Sequence, residues 1–210
     1  MLLQPHLEGY FVRLEPLSLD HAPRLAEAAS GPRDTYSLTS VPDGDIEAVA
    51  WIAAALAERD AGKAVPFATI DLQTGTVAGS TRFFDLQYWR WAEGNPNQRG
   101  ASLPGALEIG YTWLAPWAQR TGINTEAKLL MLEYAFNVLR VHRVRIATDS
   151  RNERSRAAIE RLGAQLDGVL RAASSAYDGA VRDTASYSIL DSEWPAIRER
   201  LSTLLQARQA

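Results

Sequence analysis

Residues 107–124 read LEIGYTWLAPWAQRTGIN, and the fold is decided in this stretch. Its first part alternates: Leu107, Ile109, Tyr111 and Trp113 fall on one face, and Glu108, Gly110 and Thr112 on the other, which is the period of a strand. Ala115-Pro116 closes the strand with a turn. Beyond the quoted stretch, Ala127, Leu130, Met131, Tyr134, Ala135 and Val138 fall at helical spacing. Residues Trp117 to Asn124 are therefore a short loop feeding a helix N-terminus. Such a loop offers unpaired backbone N–H groups and the positive end of the helix dipole. That is a site for an anion, best suited to phosphate. Gly122 would let a ligand reach the backbone with no Cβ in the way, Arg120 adds a mobile positive charge, and Thr121 offers a hydroxyl. The same residues also read as a plain helix cap, with Asn124 or Thr125 as N-cap and Gly122 serving the turn.

Working outward, Tyr10–Glu15 reads as a first strand closed by Pro16, and Ser18 as the N-cap of a helix through about Ser30. Gly31 to Gly44 is a loop. Asp45 is expected to cap a second helix, with Ile46, Val49, Ala50, Ala53 and Leu56 as its apolar stripe and Gly62 as its stop. Val65–Leu72 and Thr76–Phe84 are strands around a Gln73-Thr74-Gly75 turn, and Trp89 to Gly105 is a long polar and aromatic insert. After the central helix come a strand at Val144–Asp149, a helix from Ser155 to Leu162 ended by Gly163, and strands at Gln165–Ala173 and Val181–Leu190. Pro195 starts a last helix. The order β-α-α-β-β-β-α-β-α-β-β-α predicts a mixed α/β (α+β) sheet in a single domain, 1–210, with residues 192–210 as its C-terminal helix.

Composition narrows the function. The chain has 210 residues, no cysteine, and 22 Lys+Arg against 25 Asp+Glu, a formal charge of −3. Thiol nucleophiles, disulfides and Cys-based zinc sites are thereby excluded. The acidic balance argues against a nucleic-acid partner. His6, His21 and His142 are scattered, so no metal site is expected, and the phosphate-loop, dinucleotide and serine-hydrolase signatures are missing. Met1 to Tyr10 has no basic leader character. Ala48 to Ala57, the longest uncharged apolar stretch, falls far short of the ~20 residues of a membrane span. The expectation is a cytoplasmic protein with no membrane association.

Asp149-Ser150-Arg151-Asn152-Glu153-Arg154-Ser155 opens a second helix N-terminus, and the chain then runs to Leu162-Gly163-Ala164. Together with Glu108 to Asn124, this resembles the core of the GNAT superfamily of acyl-CoA-dependent N-acyltransferases, in particular the branch of the ribosomal-protein N-terminal acetyltransferases. In that family a Q/R-x-x-G-x-G/A loop holds the coenzyme A pyrophosphate. Gln119, Arg120, Thr121 and Gly122 match its first four positions, Ile123 follows, and Asn124 stands where Gly or Ala is usual. Asn152 and Ser155 resemble positions that bond the pantetheine arm, whereas Ile159 replaces the usual Tyr, so the customary general acid is missing. Water or Ser155 would then supply the proton to the leaving thiolate.

The resemblance implies a mostly antiparallel central sheet flanked by helices, with acetyl-CoA as cosubstrate and an amine as acceptor. It also implies direct attack of the amine on the thioester with no acyl-enzyme. The amine must be neutral. A lysine amine at pKa ~10.4 is neutral about once in 2,500 at pH 7, and an α-amine near ~8 about once in ten. Glu108 is the candidate general base, with a solvated strand carboxylate as the alternative. A backbone N–H in Tyr111–Leu114 would polarise the carbonyl if a family-type bulge is present, which places Leu114 with the cofactor residues. Arg151, Arg154 and Arg156 are candidates for the coenzyme's 3′-phosphate or plain surface charges. Glu126 is read as complementing the helix dipole and Glu133 as surface. The Trp89–Gly100 insert is read as part of the acceptor groove or as a structured surface loop, while Tyr36 and the Gly31–Gly44 loop occupy the usual acceptor side. The acceptor is a protein N-terminus or a small-molecule amine, and pairing into a homodimer is compatible with the chain. The competing function is a non-catalytic acyl-CoA-binding or sensing domain.

Overall fold

The computed structural model describes residues 4–100 and 102–209. Met1, Leu2, Leu3, Ala101 and Ala210, which fall inside several of the expected segments, lie outside the described residues. Eight strands form one sheet: β1 (Leu7–Glu8), β2 (Val12–Pro16), β3 (Ala64–Asp71), β4 (Val77–Gln87), β5 (Ala106–Leu114), β6 (Arg143–Asp149), β7 (Gln165–Ser175) and β8 (Val181–Leu190). Their spatial order is β1-β2-β3-β4-β5-β6-β8-β7. Every neighbouring pair is antiparallel except β5 and β6, which run parallel. The expected mixed, mostly antiparallel sheet is thus observed, with the two-residue β1 as an addition too short to carry a period.

The helices are α1 (Ala22–Ala29), α2 (Gly44–Asp60), α3 (Ile123–Glu133), α4 (Glu153–Leu162) and α5 (Trp194–Gln209). Ser18 stands at the head of a one-turn 3-10 segment, Leu19–His21, rather than of α1. Asp43, not Asp45, holds the N-cap position of α2. That helix buries Ala48, Ile52 and Ala55 and leaves Ile46 and Val49 in solvent, so the expected stripe is rotated. In an alanine-rich helix, close packing of small residues selects the buried face, and hydrophobicity alone does not mark it. α3 widens into a π turn, Tyr134–Val138, closed by the Leu139 N–H donating to the Tyr134 carbonyl. The turn carries Val138 off the buried side.

Two irregularities in the sheet make room for a cavity. The β4/β5 register steps two residues on β4, from Ser80 to Arg82, against three on β5, from Trp113 to Gly110. This is a bulge. Tyr111 sits at its centre with φ +49°, and is exposed instead of sharing the buried face of Ile109. β5 and β6 pair only at Ala106–Glu108 with Arg143–Arg145 and then part, β5 continuing on β4 and β6 on β8. Their separation opens a wedge in the middle of an otherwise continuous core of Phe67, Phe83, Ile109, Met131, Val144 and Tyr187.

At the far side, α3 is fastened to the first hairpin by a buried carboxylate. Glu126 Oε1 accepts from the Tyr10 N–H, and Oε2 from those of Phe11 and Val12, at 2.9, 2.6 and 2.9 Å. Glu126 stands in the first turn of α3, as expected of a dipole complement, and also clamps the β1–β2 turn. Gly9 is required there, since a Cβ would lie 2.4 Å from Glu126 Cδ.

Candidate active site

A cavity of about 840 Å³ occupies the wedge, walled by β5 and β6, the start of α3, α4, residues 35–40 and the β7–β8 hairpin. Gln119, Arg120, Thr121 and Asn124 line one part of it. The backbone N–H groups of Arg120, Thr121 and Gly122 have no acceptor among the described residues. Arg120 holds φ +63°, an arrangement that costs free energy in a residue with a Cβ. Gly122, not Asn124 or Thr125, is the N-cap of α3, and the Thr121 hydroxyl accepts from the Ile123 N–H. Gly122 is buried at φ −71°, and a Cβ there would meet the Phe11 ring at 2.9 Å. Packing against Phe11 demands this glycine, and Ile123 lies in the core behind it.

Gln119 closes the loop from inside. Its Nε2 donates to the Leu114 carbonyl at 3.0 Å, and its Oε1 accepts from Arg154 Nη1 at 3.1 Å. The Tyr36 hydroxyl also donates to the Leu114 carbonyl, and Arg154 Nη2 to the Thr35 carbonyl. Leu114 thus anchors the 35–40 segment over the cavity. Of the three candidate arginines, only Arg154 lines the chamber. Arg151 is spent between Asp149 and Asp178, and Arg156 donates to the Tyr187 hydroxyl. Arg161 and Arg208 line the chamber as well; they lie on α4 and α5, where in sequence their charge reads as ordinary helix surface.

Asn152 is the N-cap of α4, its Oδ1 accepting from the Ser155 N–H at 3.0 Å. Its carbonyl oxygen is therefore committed, leaving the Nδ2 amide for a ligand. Ser155 and Ile159 both line the chamber.

Glu108 is not a solvated carboxylate: it is 5% exposed and lines the cavity. Arg145 Nη1 donates to its Oε2 at 2.5 Å. Burial raises its pKa above the usual carboxylate range, and the Arg145 charge opposes that rise. A carboxylate made more basic by burial yet held in place by a cation is suited to taking a proton.

Lys128 is a site residue that the sequence reading does not single out. It is 4% exposed, lines the chamber, and donates to the hydroxyls of Thr112 at 2.7 Å and Thr81 at 3.0 Å. It has no carboxylate partner among the described residues, and burial lowers its pKa to about 7. The available signal is its position four residues after Asn124 and three before Met131, on the apolar side of α3. The Trp89–Gly100 insert lies elsewhere. Trp89 stacks on His142 at 5.4 Å, and Arg99 pairs with Asp191; no residue of the insert lines the cavity. Tyr36 and its loop do.

Residues 12–165 match the family model described as an acetyltransferase (GNAT) domain. A GCN5-related N-acetyltransferase from Brucella melitensis is 31% identical over 97% of this chain and 86% of that one, with a TM-score of 0.81. A T. thermophilus structure, provisionally described as an acetyltransferase, is 35% identical over 98% of this chain and all (100%) of that one, with a TM-score of 0.77. Mycobacterium smegmatis RimJ, solved in complex with CoA-disulfide, is 21% identical over 92% and 88% of the two chains, with a TM-score of 0.72; this is a likeness of fold. Bacillus subtilis (strain 168) YdaF, provisionally named a ribosomal N-acetyltransferase, is 40% identical over 88 residues, 41% of this chain and 46% of its own. The match to YdaF therefore spans about half of that relative.

Proposed function

This chain belongs to the GNAT acetyltransferase family, and from that premise we propose that it moves an acetyl group from acetyl-CoA directly to a primary amine. One observation carries the reading: a single chamber joins a loop of unpaired backbone N–H groups to a buried, cation-held carboxylate. The non-catalytic acyl-CoA-sensing alternative is not favoured, because it leaves Glu108 without a use.

The chamber suits the cosubstrate's charge. Backbone N–H groups at Arg120, Thr121 and Gly122, and the side chains of Arg120, Arg154, Arg161 and Arg208, would meet its phosphates. Gln119 and Leu114 hold the loop, Thr121 and Ile123 its helix junction, and Asn124 the rim. The unpaired edges of β5 and β6, with Asn152 Nδ2, would receive the amide-bearing arm. A backbone N–H at the Tyr111 bulge would polarise the thioester carbonyl, with Lys128 fixing Thr112 beside it.

In the reaction the amine lone pair forms the C–N bond and the C–S bond breaks. Glu108 takes the proton released by the amine. The thiolate leaves with a proton from Ser155 or water, which a thiol of pKa ~8.5 requires only weakly. YdaF, named for ribosomal acetylation, supports a protein N-terminus as acceptor, as does the greater neutral fraction of an α-amine. We place this activity in one catalytic domain in the cytoplasm; no described helix is long and apolar enough to cross a membrane. A homodimer belongs to the same proposal, supported by exposed Leu166, Val169 and Leu170 on the edge strand β7, and sedimentation velocity reads it.

The test is a coupled pair of measurements. Titration calorimetry with coenzyme A should give a binding isotherm, and a panel of N-terminal peptides and small amines with acetyl-CoA should release free thiol. Heat without thiol release from any amine would restore the sensor; no heat would end both readings.

A further inference from the structure

We propose that Arg82, clasped between Trp51 and Tyr111, is a seat for a carboxylate on the amine acceptor; the proposal rests on the acetyl-transfer reading above. Arg82 lies on β4 opposite Gly110, at the bulge. It is 5% exposed, with its guanidinium carbon 3.9 Å from the Tyr111 ring centre and 5.0 Å from that of Trp51. Aromatic faces soften the burial of a cation but do not accept its N–H bonds in the plane of the guanidinium. Among the described residues its side chain has no ion pair or hydrogen bond, and its buried Nε has no acceptor.

A second donor beside the same ring is also orphaned. Trp113 meets Trp51 edge-on at 6.4 Å, and its buried Nε1 has no acceptor either. Native proteins pair nearly all such groups, so two orphans around one indole call for an explanation. What both lack is an acceptor, and what Arg82 also lacks is a negative charge. Burial lowers the Arg82 pKa, but a guanidinium remains charged. Glu58 acts on it only through space.

A carboxylate supplies both missing elements, with two acceptor oxygens and one charge. A phosphate dianion would need more donors than these rings leave. The position suits the acceptor rather than the coenzyme. Tyr111 and Trp113 both line the cavity, whereas the N–H loop and its arginines belong to α3, α4 and α5. Arg82 and Trp51 lie behind this wall rather than in it, and the half-exposed Tyr111 ring is the cover that turns aside when the seat is filled. Such an acceptor is a free amino acid or a peptide with an acidic side chain near its N-terminus.

The experiment compares matched primary amines that differ only in a carboxylate against a carboxamide, in an amino-acid series and a peptide series, by thiol release. Wild-type kcat/KM should favour the carboxylate by about 30-fold or more, the scale of a buried charge pair, in whichever series contains the true acceptor class. Arg82→Met should bring the ratio close to one, mainly through KM, and Arg82→Lys should restore part of it. Trp113→Phe, which keeps a ring but removes the donor, should reduce the ratio if the arginine variant fails to fold. A wild-type ratio near one, or a ratio that survives both Arg82→Met and Trp113→Phe, overturns the seat. If no amine releases thiol, the transfer reading has failed, and calorimetry of the carboxylate-bearing amine on the coenzyme-loaded protein decides the seat. Binding that disappears in Arg82→Met upholds it, and binding that is absent or unaltered overturns it.

Discussion

Arg145 Nη1 donates to Glu108 Oε2 at 2.5 Å across the last residue pair at which β5 and β6 run side by side. One step further the strands separate and the chamber begins. The carboxylate is therefore fixed at the apex of the wedge, where burial and a neighbouring cation act on it in opposite directions. A base placed in this way has a basicity set by two opposing influences, each of which can be altered alone.

Removing the cation should move the pH profile in a defined direction. Arg145 lowers the Glu108 pKa, so Arg145→Met lets it rise further above its ordinary value. The ionised base is then lost at a higher pH, and the acidic limb of kcat/KM against pH shifts upward. Initial rates of thiol release from about pH 5 to 9, spanning the range in which a raised carboxylate titrates, will check this; a limb that stays in place would remove Glu108 from the rate law.

Glu108→Gln keeps the shape of the side chain and removes the base. With a lysine-like amine as acceptor, kcat/KM at pH 7 should fall about 10²-fold or more. The fall should be smaller with an α-amine, and should shrink as pH approaches the amine's own pKa. Coenzyme affinity by calorimetry should stay essentially at the wild-type value.

Lys128 lends itself to a stability measurement. Its folded pKa, about 7, lies below the ordinary lysine value of 10.5. Below pH 7 it is protonated folded and unfolded alike, and burial of the charge costs its full amount. Between 7 and 10.5 the unfolded chain binds the extra proton, so stability rises with pH. Lys128→Met should raise Tm at pH 6 by several degrees, at ~2–4 °C per kcal/mol for a chain of this size, and should flatten the rise above pH 7. Thr81 and Thr112, whose hydroxyls lie 2.8 Å apart, would pair with each other. Thermal melts on either side of neutrality, at about pH 6 and about pH 9, give the answer.

Glu126→Ala would strip three backbone N–H groups of their acceptor. The Val12 donor is buried and those of Tyr10 and Phe11 are part-buried, so at ~1–3 kcal/mol for a buried unsatisfied donor and less for the others the loss should reach about 2 kcal/mol or more. Urea midpoints read it directly. Gly9→Ala should be comparably harmful, since the new methyl would fall on the same carboxylate. Equal midpoints for either variant and wild type would show that the hairpin is not held by this clamp.

Much of the site is legible in the sequence because short-range chemistry specifies it. Trp117 to Asn124 reads as a strand-to-helix loop and Gly163 as the end of a short helix, since turns and glycine stops are read within a few residues; the helix read from Ser155 begins at Glu153 with Asn152 as its cap. Glu108 is identifiable as a strand carboxylate near that loop. Its ion pair is not, because Arg145 lies 37 residues further on and meets it only through the parallel pairing of β5 and β6. Gly122 reads as an opening for a ligand and proves to be a seat for Phe11, a contact from the far end of the chain. The Trp89–Gly100 insert is close to the site in sequence, yet it packs on His142 and Asp191 outside the chamber.

The sequence by itself determined the order of the elements apart from β1, because periodicity and turn residues act locally, and the motifs of residues 108–164 carried the resemblance to the family. Tertiary structure alone decided which polar residues are buried and what they face. Along the chain Lys128 and Arg82 are not singled out, and Glu126 reads only as a complement to the helix dipole. Desolvation turns the first into a weak base, the second has no ion pair among the described residues, and three backbone hydrogen bonds make the third a clamp. That cost is set by the surrounding packed elements, contributed by residues as far as 116 positions away, which no local pattern records.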